Sequence, residues 1–456
     1  MSDTSETTTY GATAAATALV MVYVLGVSYA LQQSYDIAGG VLVAHVLALI
    51  SVPIIFHLTR HDERKVRRLI LAGLGAKFVG TLARYAVIYA VYGGGDASAY
   101  HEQGTILARA FRSGDFTALS GTKLVGTRFV EIITGLVYTF TGSTRLGGFM
   151  VFSWMGFWGA YLFYRAFRIA LPDADHRRYG LFVFFLPSMV FWPSSLGKDA
   201  WMTLTIGVVA YGAARLVKRR PMGLPVIMVG VLGTAMVRPH VTIIAVGAIM
   251  TAFLLAANRS RSFAAPLYKL VGTVALGAVL IFSAVSAQRF FKIESIDSIA
   301  ETQVRVQDRT EKGSTFDAPS VTSPAQLPLA IFTVLFRPLP FEAGNPMAFA
   351  TSLEGAGLLA LFVLKAPRLR NLIPRRKAPF VTFAAVYSIL FAVAFSNISN
   401  FGILARQRVQ LFPLVLVALA VPTVRKRRRG PDASAPPPAP PLRAVPDTEA
   451  EPLPVF

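Results

Sequence analysis

Apolar runs of about 20 residues recur along this chain, and they limit its folding more than any other feature. Coiled as a helix, each run is long enough to cross a hydrocarbon core of roughly 30 Å. A β-barrel would show short alternating segments instead. The runs fall near 12–32, 38–58, 69–91, 146–168, 180–193, 200–217, 223–237, 241–257, 264–286, 346–365, 378–396 and 409–424. A shorter apolar piece at 326–336 is a candidate re-entrant segment. The expected fold is therefore all-α: a polytopic helical membrane protein with about 12 transmembrane helices. Composition agrees, with 15% charged residues where a soluble domain carries roughly a quarter.

The chain is strongly basic, with a formal net charge of +21. In a soluble protein this would point to nucleic acid. Here the basic residues cluster between apolar runs, at 60–68, 165–178, 215–220, 259–269, 365–377 and in "RKRRR" at 425–429. Lys and Arg collect in cytoplasmic loops, so no nucleic-acid partner is expected. The alternation puts both termini in the cytoplasm of a multi-pass plasma-membrane protein. Residues 1–11 then form a short cytoplasmic N-terminus, 12–424 the transmembrane domain, and 425–456 a basic, then Pro-rich, disordered tail. The first residues lack the positive start of a cleaved signal peptide, so the first span is expected to stay. Two long segments, 92–145 and 287–325, fall outside. In the first, "TRFVEIITGLVYTFTG" has the spacing of an interfacial helix. There is no cysteine, which excludes disulfides, thiol catalysis and Cys-ligated metal.

The polar residues left unexplained by the basic-loop pattern all fall on the expected external side. "GGGDASAYHEQG" brings Asp96, His101 and Glu102; "PSSLGKDA" brings Lys198 and Asp199; "VRPH" brings Arg238 and His240. "FRPLPFEAGN" holds Arg337 and Glu342, and "SNISNFGILARQR" holds Asn397, Asn400, Arg406 and Arg408. Arg84, inside the third run, joins them if it faces a polar cavity, whereas Lys77 is read as snorkelling to the cytoplasmic edge. Each has an ordinary explanation. A lone Arg at a helix end anchors at the interface, Asp96 suits a helix start, and Lys198 with Asp199 makes a local ion pair worth little. Charge near bilayer depth is costly, however, at about 2.5–3.5 kcal/mol on insertion scales. Five such clusters on one side suggest a shared external site. Guanidinium and ammonium groups suit phosphate, and an adjacent carboxylate suits proton abstraction from a hydroxyl. A polyprenyl-phosphate-linked sugar fits both, with its tail in the membrane lipid and its head at the surface. No G-x-x-x-x-G-K-[ST] or H-E-x-x-H motif is present.

Three stretches resemble the GT-C superfamily of polyprenyl-phosphate-sugar-dependent membrane glycosyltransferases. They are "GDASAYHEQGTILARAFRSGDF", "TKLVGTRFVEIITGLVYTFTGSTRLGGFMVFSWMGFWGAYLFYRAF" and "LPSMVFWPSSLGKDAWMTLTIGVVAYGAARL", within about 69–217. "FRPLPFEAGNPMAFATSLEG" and "ILARQRVQLFPLVLVALA" are more similar to O-antigen and oligosaccharide repeat-unit polymerases, which share that architecture. The resemblance implies a sugar transferred to a glycan or lipid-linked acceptor in cell-envelope assembly. Asp96 would be the catalytic base. Some of Lys198, Arg238, Arg337, Arg406 and Arg408 would hold the lipid phosphate, Arg84 would join the substrate-binding residues, and His101 or Glu102 would position the acceptor. Asp199, His240 and Glu342 complete the expected site. A divalent cation is the one cofactor the resemblance brings in. The superfamily's first external loop often carries paired acids, whereas here Asp96 has no acidic neighbour before Glu102. A repeat-unit polymerase, a lipid-linked glycan transporter and a non-catalytic envelope-assembly protein are the rival readings. A transporter needs a polar path to both sides and paired halves, and neither is apparent here.

Overall fold

A computed structural model describes residues 3–120, 124–255, 324–369 and 378–421, with isolated positions between 274 and 281. The expected run at 264–286 therefore lies almost wholly outside the described residues, as do nearly all of the second long segment, 287–325, and the 425–456 tail. Every secondary-structure element among the described residues is a helix. Five are long and apolar enough to cross a membrane: Tyr35–Leu58, Arg64–Val91, Arg145–Ala170, Lys198–Val217 and Pro346–Leu364. A bent pair, Phe401–Gln410 with Phe412–Ala420, makes a sixth if its two arms, 56° apart, count as one span. The other apolar helices are shorter, such as Gly223–Ala235, Pro239–Leu255 and Pro379–Phe395.

The chain opens with α1 (Asp3–Gln33) and α2 (Tyr35–Leu58). The first helix starts at Asp3, well before the expected boundary at residue 12. Then come α3 (Arg64–Ala86), prolonged by a π-helical turn at Val87–Val91, and α4 (Asp96–Arg112). The expected amphipathic helix is α5 (Thr127–Thr141), and α6 (Arg145–Ala170) follows. Asp36 of α2 serves the start of α6: its carboxylate accepts the backbone N–H of Arg145 and the Tyr85 hydroxyl. That satisfies a donor which a helix start would otherwise leave open.

α6 is apolar and aromatic around its whole circumference, so it lies at the centre. Phe149, Phe152, Phe157, Phe163 and Phe167 are all fully enclosed. α9 (Lys198–Val217) packs against it so closely that a Cβ on Gly159 would stand 2.4 Å from the Thr203 carbonyl oxygen. A Cβ on Gly207 would stand 2.5 Å from the Gly159 carbonyl oxygen. Small residues allow this backbone approach, as at helix crossings in lipid. From the last turn of α6, Arg168 forks onto Asp62, in the loop between α2 and α3, at 2.8 and 2.6 Å. Those hydrogen bonds hold the Asp62 carboxyl below its usual range.

Two expected spans are broken. The run at 180–193 becomes α7 (His176–Phe185) and α8 (Pro187–Phe191). Pro187 pushes the preceding Leu186 into an extended conformation, which ends the first helix. The last run begins at Phe401 rather than 409, because the Asn400 side chain accepts the Ile403 N–H at 3.0 Å and caps a new helix there. Numbering onward from α10 (Gly223–Ala235) and α11 (Pro239–Leu255), the later elements are α12 (Leu327–Phe336), α13 (Pro346–Leu364), α14 (Pro379–Phe395) and α15 (Phe401–Gln407).

Candidate functional site

The turn between α3 and α4 carries the feature that positions the site. Gly93, Gly94 and Gly95 all have positive φ, at 65°, 115° and 56°. Side chains with a Cβ avoid this region, so three glycines in a row let the chain reverse sharply and deliver Asp96 as the first residue of α4. Its carboxylate is 68% exposed and accepts from Arg406 Nη1 at 3.2 Å. Arg406, on α15, also donates from Nε to Asp199, in the first turn of α9. Asp199 is fully enclosed and accepts from Arg238 Nη2 at 3.1 Å. Residues from α4, α9, the turn before α11 and α15 thus form one charge network, Asp96–Arg406–Asp199–Arg238. Enclosed charges need such partners, since each costs several kcal/mol to desolvate.

The network forms one wall of a cavity of about 320 Å³. Arg84, Tyr92, Asp96, Trp192, Ser195, Asn400 and Arg406 are among its lining residues. Arg84 lies near the end of α3, its guanidinium 4.8 Å from the Phe191 ring centre and 4.6 Å from that of Trp192. Two of its nitrogens, Nε and Nη1, are enclosed and meet no hydrogen-bond acceptor in the protein. A second cavity of about 210 Å³ shares Tyr92, Trp192, Asn400 and Gly402 with the first. Its remaining walls are mainly apolar: Pro338, Met347, Ala348, Phe401 and Ala405, with Asn345 and Thr351.

Of the residues expected to meet, Arg84, Asp96 and Arg406 line the cavity, and Asp199 and Arg238 stand behind it. The others are placed elsewhere. Lys198 does not pair with Asp199; its Nζ donates to Thr127 Oγ1 at 2.9 Å, tying α9 to α5. His101 hydrogen-bonds through Nδ1 to the Tyr138 hydroxyl, 2.9 Å away. Burial, with Arg145 nearby, keeps its imidazole below the usual range. Glu102 is exposed one position further along the same helix. Neither is on the cavity wall, because the helical turn carries them round from Asp96. Tyr100 on α4 is enclosed, and burial pushes its hydroxyl up to about 12.

Arg337 and Glu342 satisfy each other through bonds of 2.9, 3.1 and 2.6 Å. Burial raises the Glu342 carboxyl, but the Arg337 and Leu339 hydrogen bonds outweigh it and leave the group below its usual range. Arg408 is wholly enclosed and donates to the carbonyl oxygens of Leu335 and Arg337 at 3.1 and 2.9 Å. It braces the segment carrying Pro338 and does not reach the cavity. His240 is half-buried beside the Phe395 ring. Lys77 does not snorkel: it is 2% exposed and donates to the Met189 carbonyl oxygen at 2.6 Å. There it satisfies a carbonyl that the short α8 leaves open.

Phe191, Trp192 and Tyr92 were not among the expected site residues. Their aromatic character beside the "PSS" turn and the triple glycine was the available signal. Among the described residues, no three His, Asp or Glu side chains come together to hold a metal ion. Asp96, the carboxylate on the wall, is already bonded to Arg406, and Arg84 lines the same cavity. A divalent cation does not fit beside two guanidinium groups and one engaged acid.

Comparisons with family models, curated proteins and solved structures returned no match to this chain.

Proposed function

We propose that this chain is an integral-membrane glycosyltransferase that takes a sugar from a polyprenyl-phosphate carrier at the external face. The observation that carries the reading is the meeting of Arg84, Arg406 and Asp96 on one cavity, walled on one side by a mainly apolar chamber. A headgroup with phosphate and sugar suits the first space, and the start of a prenyl chain suits the second. The membrane setting rests on the five long apolar helices and on large apolar side chains left exposed on their outer faces. Leu42, Leu49 and Phe56 of α2 and Val363 and Leu364 of α13 are examples. With the shorter apolar helices other than 327–336, the broken run at 180–193 and the run at 264–286 all counted as spans, about 12 crossings and cytoplasmic termini remain the proposed topology.

In the proposed reaction the acceptor hydroxyl gives its proton to Asp96, which α4 holds at the cavity mouth and Arg406 orients. The acceptor oxygen attacks the anomeric carbon, and the bond from that carbon to the phosphate oxygen breaks with inversion. The departing phosphate keeps the electron pair, and Arg84 is placed to stabilise the charge that develops. No metal enters the scheme.

Mass analysis of cell-envelope glycans, with and without this gene, tests the reading. Loss of the gene is expected to remove a glycan species. A gene carrying Asp96→Asn should restore it about 10²–10⁴-fold more slowly than the native one. Unchanged glycans in the deletion would overturn the proposal.

A further inference from the structure

Two ionisable side chains that the proposed reaction does not use are set against α8. Lys77 of α3 is enclosed and donates from Nζ to the Met189 carbonyl oxygen, with Ser194 Oγ 3.5 Å away. Glu354 of α13 accepts the Ser188 N–H through Oε2 at 2.6 Å, while its Oε1 is enclosed and meets no partner in the protein. Charge among apolar helices is costly to keep and marks a function. Here both groups act on the backbone of the same five-residue helix, one from α3 and one from α13. Leu186 is extended ahead of Pro187, so α7 does not continue into α8, and bonds from other elements have to locate it.

The spacing along α3 shows what depends on α8. Gly73, Lys77, Gly80 and Arg84 recur every three or four positions and are buried together. A Cβ on Gly73 would stand 2.9 Å from the Phe184 ring of α7, and one on Gly80 would stand 2.6 Å from the Val190 carbonyl oxygen. Arg84 comes last in the stripe. The Phe191 and Trp192 rings, 82° apart, make a corner for its guanidinium. Moving α8 along α3 would therefore move that corner. On α13, Met347, Thr351 and Glu354 share a face, and the first two line the second cavity.

We propose that Lys77 and Glu354 are positioning residues, which clamp α8 and so set Phe191 and Trp192 around Arg84. Neither touches the cavity. Their effect on transfer rests on the reading above; their effect on Trp192 does not.

The full-length protein in lipid nanodiscs carries four tryptophans. Each measurement is paired with the same protein bearing Trp192→Phe, and the difference isolates Trp192. Lys77→Met removes the bond to Met189, and Glu354→Leu removes the acceptor of the Ser188 N–H. Each should shift Trp192 emission to longer wavelength and open it to quenching by acrylamide. Glu354→Gln keeps an oxygen for Ser188 and should stay close to native. Gly80→Ala displaces Val190 without altering any charge and should shift the emission as well, whether or not the other variants fold. All are read well below their melting temperatures, where a loss of stability alone leaves native emission unchanged. In cells, Lys77→Met and Glu354→Leu should slow restoration of the glycan by about 10–100-fold, the scale of a small misplacement near the chemistry. Glu354→Gln should recover most of the rate. Added to Arg84→Gln, Glu354→Leu should cause little further loss, because the two act through one guanidinium.

Native Trp192 emission in Lys77→Met, Glu354→Leu and Gly80→Ala would overturn the clamp. So would a shift in Glu354→Gln as large as in Glu354→Leu, since the charge and not the bond to α8 would then be what counts. Shifted emission with native glycan restoration would overturn the link from the clamp to Arg84. Unchanged glycans in the deletion strain would overturn the transfer reading and leave the clamp to be decided by Trp192 alone.

Discussion

At the scale of single residues, Asp199 has the most to hold together. Two arginines from different elements donate to its carboxylate, and it is 2% exposed. Asp199→Asn would leave Arg238 and Arg406 facing each other with no charge between them. Breaking a buried pair by removing one partner costs about 3–5 kcal/mol, so a fall in melting temperature in detergent is expected. Asp199→Asn combined with Arg238→Met should melt higher than the single variant, because it removes one of the stranded cations. A single variant that melts with the native protein would show the network to be dispensable. Asp96, Asp199, Arg238, Arg406 and Arg84 were all legible as candidates, because charge where apolar helices end is costly and therefore informative. Their partners were not legible. Arg337 with Glu342 and Arg408 with two carbonyl groups look the same in sequence as residues that reach a ligand. Lys77 departs from its expected place for a similar reason: a lysine toward the end of an apolar run is expected to reach water, and the broken helix that gives it a carbonyl lies 112 positions away.

At the scale of elements, periodicity and turn chemistry carried the helices at 96–112 and 127–141 well, since each starts at a glycine and turns an apolar stripe inward. Breaks within apolar runs were harder to see. Leu186 and Pro187 interrupt α7 and α8 in the middle of an apolar stretch, and the Asn400 cap moves the last helix back to Phe401. Proline and asparagine act locally, whereas a hydropathy window averages over them. The contact between α6 and α9 offers a direct test of element packing. Gly159→Ala would place its Cβ 2.4 Å from the Thr203 carbonyl oxygen, so the helices must separate. Overpacking of this kind costs about 1–3 kcal/mol. The Gly75→Ala control, on α3 with nothing within 4 Å of its added Cβ, should be neutral or stabilising by up to about 1 kcal/mol, because alanine favours the helix. Detergent melting curves of the two variants should separate in that order. Gly159→Ala melting at or above Gly75→Ala would mean that close backbone approach does not hold the centre together.

At the scale of the whole molecule, the proposed reaction depends on which side of the membrane the cavity opens. The proposed orientation rests on the sign of the loops, since clustered Lys and Arg favour the cytoplasmic side. Because the chain has no cysteine, single cysteines can report the orientation without background labelling. Phe341 is 85% exposed beside the Arg337–Glu342 pair, on the segment whose Pro338 lines the second cavity. Asp173 lies in the exposed turn between α6 and α7, near Arg168 and Arg177. Intact cells treated with a membrane-impermeant maleimide should label Phe341→Cys and spare Asp173→Cys until the membrane is opened with detergent. The reverse pattern would place the cavity on the cytoplasmic side and remove the external transfer reaction, whatever the chemistry of Arg84 and Asp96. Labelling of both positions in intact cells would mean that the helices between them do not cross the bilayer as proposed. The apolar faces of α2 and α13 would then need another cover.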